Sequence, residues 1–245
     1  MLIDNGDGKP SWISALQRVL TEENATITEA ITTHWHPDHT GGQADLLKVS
    51  PQTKVYKNAP KEGQLNIEDG QRFRVEGASL RAVFSPGHTH DHMTFVLEEE
   101  DAMFTGDNVL GYGTSVFESL ATYLDSLEKM QCVFGGRAYP GHGPVVEDGP
   151  GKVLEYIRHR KQREDQVLQV LRSSKTSPER EAREGETDEW TSKEMVKIIY
   201  KDVPENLHEP ANGSVMQILY KLEGEDKVTD NAARGTWRLK SRAAL

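Results

Sequence analysis

The chain has 245 residues and a formal net charge of −10, which argues against a broad basic surface for nucleic acid. Its single cysteine, Cys132, excludes an internal disulfide and fits a reducing compartment. No apolar run approaches the roughly 18 residues that span a bilayer, and the N-terminus lacks the basic, apolar and small-residue succession of a secretory signal, so the expected location is cytoplasmic.

Met1-Leu2-Ile3 reads as a strand, and Asp4-Asn5-Gly6-Asp7-Gly8 as the turn after it. Trp12, Leu16, Val19 and Leu20 recur at helical spacing and predict an amphipathic helix from about Ser11. Glu29–Thr33 is a short strand leading into a histidine cluster. A helix is expected behind that cluster, around Leu46-Leu47. Lys54–Lys57 follows as a strand, Gln71–Val75 with Leu80–Phe84 as a hairpin, and Met93–Leu97 with Met103–Thr105 as a pair joined by the acidic turn Glu98–Asp101. Tyr123–Phe134 reads as a helix and Ala138-Tyr139 as a strand. Alternating strands and helices predict a layered α/β domain over residues 1–150.

The composition changes after Pro150, and residues 151–245 form a second expected domain. Lys152–Arg172 reads as a long amphipathic helix, and the polar stretch 173–189 as a mobile loop. Thr191 or Ser192 caps a helix carrying Met195, Val196, Ile198 and Ile199. Val215, Ile218, Leu219 and Leu222 mark another, and Val228 with Thr236–Leu239 flanks a small hairpin. Two helices and a hairpin suggest a winged-helix-like appendage.

The chemistry concentrates in His34-Trp35-His36-Pro37-Asp38-His39, read with Pro86-Gly87-His88-Thr89, Thr105-Gly106-Asp107-Asn108 and Pro140-Gly141-His142-Gly143. Each marker follows a short apolar run, which places it on a loop at a strand end, where catalytic residues gather. His34 and His36, two apart on an extended segment, project to the same side. Pro37 favours the turn that brings in Asp38 and His39. Imidazole and carboxylate without thiolate suit zinc, manganese or iron. An isolated histidine is an ordinary polar residue; a dense set with three further markers in order is a metal site. By the same measure His90 is expected to be exposed, His92 to pack or hydrogen-bond at a strand start, His159 to lie on a solvated helix face, His208 to sit in a loop, and Cys132 to be core.

These motifs resemble the metallo-β-lactamase superfamily over nearly all of residues 1–150. The resemblance implies an α/β αββα sandwich, with a winged-helix-like C-terminal domain. It implies two divalent metal ions, zinc foremost: His34, His36 and His88 on the first, Asp38, His39 and His142 on the second, and Asp107 bridging both. Asp4 matches an aspartate that ends an early strand and orients the histidine loop. Asp38 and Asp107 would then be catalytic.

A finer resemblance rests on Leu2-Ile3-Asp4, Gly8-Lys9-Pro10, Thr33–His36, Phe104–Gly111, Tyr139–Pro144 and Tyr156–Arg160. It is similar to the lactamase-like branch that contains fungal thioesterases, which release polyketides from an acyl carrier protein, and an animal mitochondrial endoribonuclease. Glu98–Asp107 and Asp69–Phe73 resemble the thioesterases more. The implied partner is an acyl carrier protein domain or a small acyl-thioester, with no membrane or nucleic acid. The alternative is a single-stranded endoribonuclease, and a lesser one a silent binding module. Tyr112, Phe117 and Tyr123 are candidates for a pocket holding a flat acyl chain, or else helix-packing residues. Arg158 and Arg160 are candidates for an anionic group of the substrate, or else a solvated face. The relatives carry a leading hairpin before the Leu-Ile-Asp strand and usually threonine where Asn5 stands, so Leu2-Ile3 is expected as an outer strand.

Overall fold

The computed structural model describes residues 1–175 and 189–240. Most of the loop expected at 173–189 therefore lies outside the described residues. The chain divides into two compact units, Met1–Ile157 and Arg158–Leu245.

The first unit begins with β1 (Leu2–Ile3), α1 (Pro10–Glu22), β2 (Glu29–Thr32), α2 (Pro37–Thr40), α3 (Gln43–Val49) and β3 (Lys54–Lys57). The strands form a three-stranded sheet in the order β1-β2-β3, all parallel, with Leu2 opposite Ala30 and Ala30 opposite Val55. Parallel neighbours need crossover connections, and α1 and α3 provide them. Because strand side chains alternate, β2 serves two layers. Ala30 joins Ile27, Leu46 and Val55 against Trp12, Leu16 and Leu20 of the helix layer. Ile31 points the other way, into a cluster with Phe73, Leu80, Ala82, Met93 and Phe95. β1 is an edge strand, as expected, and Asn5 just beyond it is buried, donating from Nδ2 to Thr32 Oγ1 at 3.0 Å.

The second sheet holds β4 (Arg72–Val75), β5 (Ala78–Phe84), β6 (Met93–Leu97), β7 (Ala102–Gly106) and β8 (Ala138–Pro140), in that order. Pairing is antiparallel up to β7, and β8 runs parallel to β7. Ala82 opposes Phe95, which opposes Phe104, on the face toward the first sheet. Val83, Val96 and Met103 bury the opposite face. Between β7 and β8, α4 (Leu120–Gln131) starts earlier than the expected Tyr123, because Ser119 caps it by accepting from the Thr122 N–H. It also ends earlier, leaving Cys132 as the C-cap; Cys132 is exposed, which corrects its reading as core.

α5 (Gly149–Arg172) begins in the first unit. Its first turns bury Val153, Tyr156 and Ile157, and the Tyr156 hydroxyl donates to Gly113 O and accepts from the Leu110 N–H. The division therefore falls after Ile157 rather than at residue 150. In the second unit, α6 (Ser192–Ile199) opens with a capping box between Thr191 and Glu194. α7 (His208–Gly224) follows one 3-10 turn at Glu205–Leu207, and β9 (Val228–Asn231) pairs antiparallel with β10 (Thr236–Leu239) as the wing. Met195, Val196, Val215, Ile218, Leu219, Val228 and Trp237 form its buried interior. Among the described residues no helix is long and apolar enough to cross a membrane.

Candidate metal centre

The site forms where both sheets present loops at one end. After β2 the chain bends at Thr33 and Trp35, and Pro37 then starts the single turn of α2. That turn places Asp38 and His39 beside the histidines that precede it. His88 follows β5, Asp107 follows β7, and His142 follows β8. The parallel β7–β8 pairing delivers the last two side by side: the Gly141 N–H donates to Gly106 O at 2.8 Å. Gly141 has no room for a side chain, since a Cβ there would lie 2.5 Å from Asp107 Oδ1 and 3.0 Å from His39 Cε1.

The side chains sort into two groups whose offered atoms lie within 4.8 Å of one another: His34, His36, His88 and Asp107, and Asp38, His39 and His142. In the first group His36 Nδ1 is 2.9 Å from His34 Nε2 and 3.1 Å from His88 Nε2. In the second, His142 Nε2 is 3.0 Å from Asp38 Oδ2, and His39 Nε2 is 3.5 Å from the same atom. Asp107 reaches both: its Oδ2 is 3.8 Å from His88 Nε2 and 3.4 Å from His142 Nε2, and its Oδ1 is 3.4 Å from His39 Nε2.

Hydrogen bonds behind the histidines turn their lone pairs inward. His88 Nδ1 donates to Val116 O at 2.8 Å. His39 Nδ1 donates to Asp4 Oδ2 at 2.7 Å. Asp4 also accepts from the Thr33 N–H at 2.7 Å and from the Thr33 hydroxyl at 3.0 Å. With its proton given to Asp4, that hydroxyl accepts from His34 Nδ1 at 2.9 Å. Three Nδ1–H groups are thus occupied, which leaves each Nε2 aimed at the centre. Asp4 adopts a left-handed φ of 60° to do this, a conformation that aspartate and asparagine tolerate better than most.

The donor set fits divalent cations. His39 Nε2 and Asp107 Oδ1 are buried without a hydrogen-bond partner, which a bound cation would supply. Burial pushes the pKa values of His34, His88 and His92 down, so all three are held neutral, the form in which His34 and His88 can ligate. Burial also opposes charge on His39, but the adjacent carboxylates of Asp107 and Asp4 outweigh it and, with no cation bound, push its pKa up to about 10. Burial of Asp107 is likewise outweighed, chiefly by His39, and its carboxyl stays below the usual range.

A cleft of about 370 Å³ opens beside this cluster, lined by Ile3, Asp4, Trp12, His39, Phe104, Tyr139 and His142. Another of about 380 Å³ lies beside the exposed Trp35, with Leu47, Lys57 and Gln64 in its wall. Tyr112, Phe117 and Tyr123 line neither cleft. Tyr123 is fully buried, donates to Asn108 O and stacks on Phe117, so it packs α4 rather than a substrate. Tyr112 is exposed and its ring lies close over Gly143, next to His142. Arg158 is exposed and Arg160 buried, so two residues expected to share one face of α5 point apart. His159 is half-buried rather than solvated. His208 opens α7 instead of sitting in a loop, and its Nε2 donates to the carbonyls of Tyr200 and Val203. His90 is exposed, as expected.

Three supports were not assigned from sequence. Thr33 links Asp4 to His34. His92 is buried and hydrogen-bonded at a strand start, as expected, but its partner, the Asp107 N–H at 3.1 Å, was not assigned. Lys57 and Asp91, both buried, pair between β3 and the loop that carries His88, where Asp91 also accepts from the Thr89 hydroxyl at 2.7 Å. A buried lysine in a strand and an aspartate three residues after a ligand histidine were the only local hints.

Comparison with known proteins agrees with this geometry. The family model described as the metallo-beta-lactamase superfamily matches residues 54–142, and that of the beta-lactamase associated winged helix domain matches residues 191–237. The lactamase-like protein adaB of Aspergillus niger is 44% identical over 93% of this chain and 73% of its own length. A protein of Aspergillus chevalieri named atrochrysone carboxyl ACP thioesterase is 46% identical over 97% of this chain and 76% of its own. Among solved structures, a metallo-beta-lactamase family protein from Thermus thermophilus has the same fold, with a TM-score of 0.71 at 20% identity over 97% of this chain and 89% of that one. With its ligand-type residues gathered at one end of the two sheets and a wing behind two helices, the chain belongs to the metallo-beta-lactamase superfamily, carries the associated winged helix domain, and is similar to fungal proteins named lactamase-like protein and atrochrysone carboxyl ACP thioesterase.

Proposed function

We propose that this chain is a dinuclear metal-dependent hydrolase that cleaves the thioester between a polyketide acyl chain and an acyl carrier protein. The observation that carries the reading is Asp107, whose carboxylate reaches both ligand groups, Oδ2 lying near His88 and His142 and Oδ1 near His39. His34, His36 and His88 would hold one cation, Asp38, His39 and His142 the other, and Asp107 would bridge them; zinc is the proposed metal. The substrate class draws on the relatives named acyl carrier protein thioesterases.

Bound divalent cations lower the pKa of coordinated water and offset charge developing on a substrate oxygen. The chain's own residues do the rest. Asp38 is about half exposed, and its free carboxylate edge can orient an attacking water and accept a proton from it. His39 and His34 are held in the ligating tautomer by Asp4 and Thr33, so no reorientation is needed when substrate arrives. A thiol leaving group with a pKa near ~8.5 departs as thiolate without a strong general acid. Tyr112 is the proposed contact for the acyl group, beside His142.

The test is a side-by-side assay of zinc-loaded protein at fixed salt. One arm uses an acyl carrier protein charged with an aromatic polyketide acyl group, and the other uses single-stranded RNA. Thioester hydrolysis that disappears in Asp107→Ala is expected. RNA cleavage without thioesterase activity would replace this reading with the endoribonuclease one, and no metal uptake would replace it with the binding module.

A further inference from the structure

We propose that His92 is a positioning residue for Asp107, acting on its main chain. The proposal rests on the reading of Asp107 as the bridging ligand. His92 is fully buried just before β6. Its Nε2 accepts the Asp107 N–H at 3.1 Å, the one hydrogen bond that this amide makes among the described residues. A buried amide needs such a partner, and the turn after β7 supplies none of its own.

The turn is shaped to admit the ring. Gly106 has a φ of +49°, and a Cβ there would lie 2.6 Å from His92 Nε2. The His92 ring also lies 5.0 Å from the His34 ring and 5.8 Å from the His88 ring, centroid to centroid. It touches ligands from both sheets yet offers the centre no atom, because Nε2 is committed to the amide. In a neutral ring the proton then sits on Nδ1, which faces buried surroundings. His92 therefore fixes where the Asp107 carboxylate starts from, and so how evenly its two oxygens divide between the two ligand groups.

The experiment compares His92→Gln with His92→Asn in the full chain. The side-chain oxygen of glutamine stands as many bonds from Cα as Nε2 does, and that of asparagine one bond fewer. Both are polar and similar in bulk, so a role in packing alone treats them alike. Metal-free protein is titrated with cobalt(II), and the visible absorption of the bound ion is recorded with the isotherm. Asparagine should weaken one of the two cobalt sites about tenfold or more and alter its spectrum, whereas glutamine should restore both toward wild type. Equal behaviour of the two variants, including equal failure to fold, overturns the proposal while leaving the metal centre standing. A wild-type chain that takes up no cobalt overturns the centre itself.

Discussion

Replacing Asp4 with asparagine tests how the second ligand group is prepared. Asparagine tolerates the left-handed φ of 60° at this position, so the backbone need not move. Its oxygen can still accept from the Thr33 N–H and hydroxyl, now at 2.7 and 3.0 Å. Its nitrogen, however, replaces the oxygen that accepts from His39 Nδ1 at 2.7 Å. Two donors then face each other unless His39 moves its proton to Nε2, and a protonated Nε2 cannot ligate. The lost charge-assisted bond is worth ~1.5–3 kcal/mol to the metal-free fold. Loss of such a support behind a ligand histidine weakens metal binding about 10–100-fold, or about 1.4–2.8 kcal/mol. The assay is a zinc titration in competition with a chromophoric chelator, alongside thermal melts of the metal-free forms. Wild type should take up two ions; Asp4→Asn should keep one at native affinity and bind the other weakly. If Asp4→Asn binds both as wild type does, the hydrogen bond to His39 is not what holds its ligating tautomer.

In the metal-free chain, His34, His88 and His92 have folded pKa values below 6.5, so stability falls as pH drops below that value. His39, raised to about 10, contributes fully below 6.5, and its contribution is lost as pH rises through 10. Melting temperature of chelator-treated protein should therefore peak near neutrality, and added zinc should remove the alkaline decline; a flat metal-free curve on that side would count against the His39 assignment. Lys57→Met should cost about 3–5 kcal/mol by leaving Asp91 buried without its partner, and Lys57→Met with Asp91→Leu should recover much of it. Chemical denaturation of the single and double variants checks this, and equal losses in both would show that the pair is not coupled. Tyr112→Ala should raise KM for an acyl-thioester more than it lowers kcat, because the ring is exposed beside His142 rather than part of the core. Unchanged steady-state kinetics would remove Tyr112 from the substrate's path.

The residues that face the metal centre were legible because their signal is local. His34, His36, Asp38 and His39 crowd into one loop, and each later marker follows an apolar strand. Short apolar runs disclosed β2, β5 and β6, and helical spacing disclosed α1, α6 and α7. The misplacements have equally local causes. Ser119 caps α4 about a turn earlier than the apolar spacing suggested, and the helix ends at Gln131, leaving Cys132 as an exposed C-cap. Positions two apart on a helix diverge by more than half a turn, so Arg158 and Arg160 could not serve one face. What stayed hidden is long-range: neither His92 beneath Asp107 nor Lys57 against Asp91 has a spacing rule, because each contact exists only after the two sheets have set the distance between loops.

The split origin of the ligands also bears on how the protein matures. His34, His36, Asp38 and His39 belong to the parallel sheet, whereas His88, Asp107 and His142 belong to the mixed one. No contiguous stretch of chain carries either complete donor group, and the final ligand emerges after β8, the last strand of the mixed sheet. On the proposed reading, tight metal capture would thus require both layers to be docked, and would come late in folding. Bound ions would then act as staples between the layers, adding resistance to unfolding that grows with the logarithm of free metal concentration. Scarcity of metal would then lower the abundance of this protein as well as its activity.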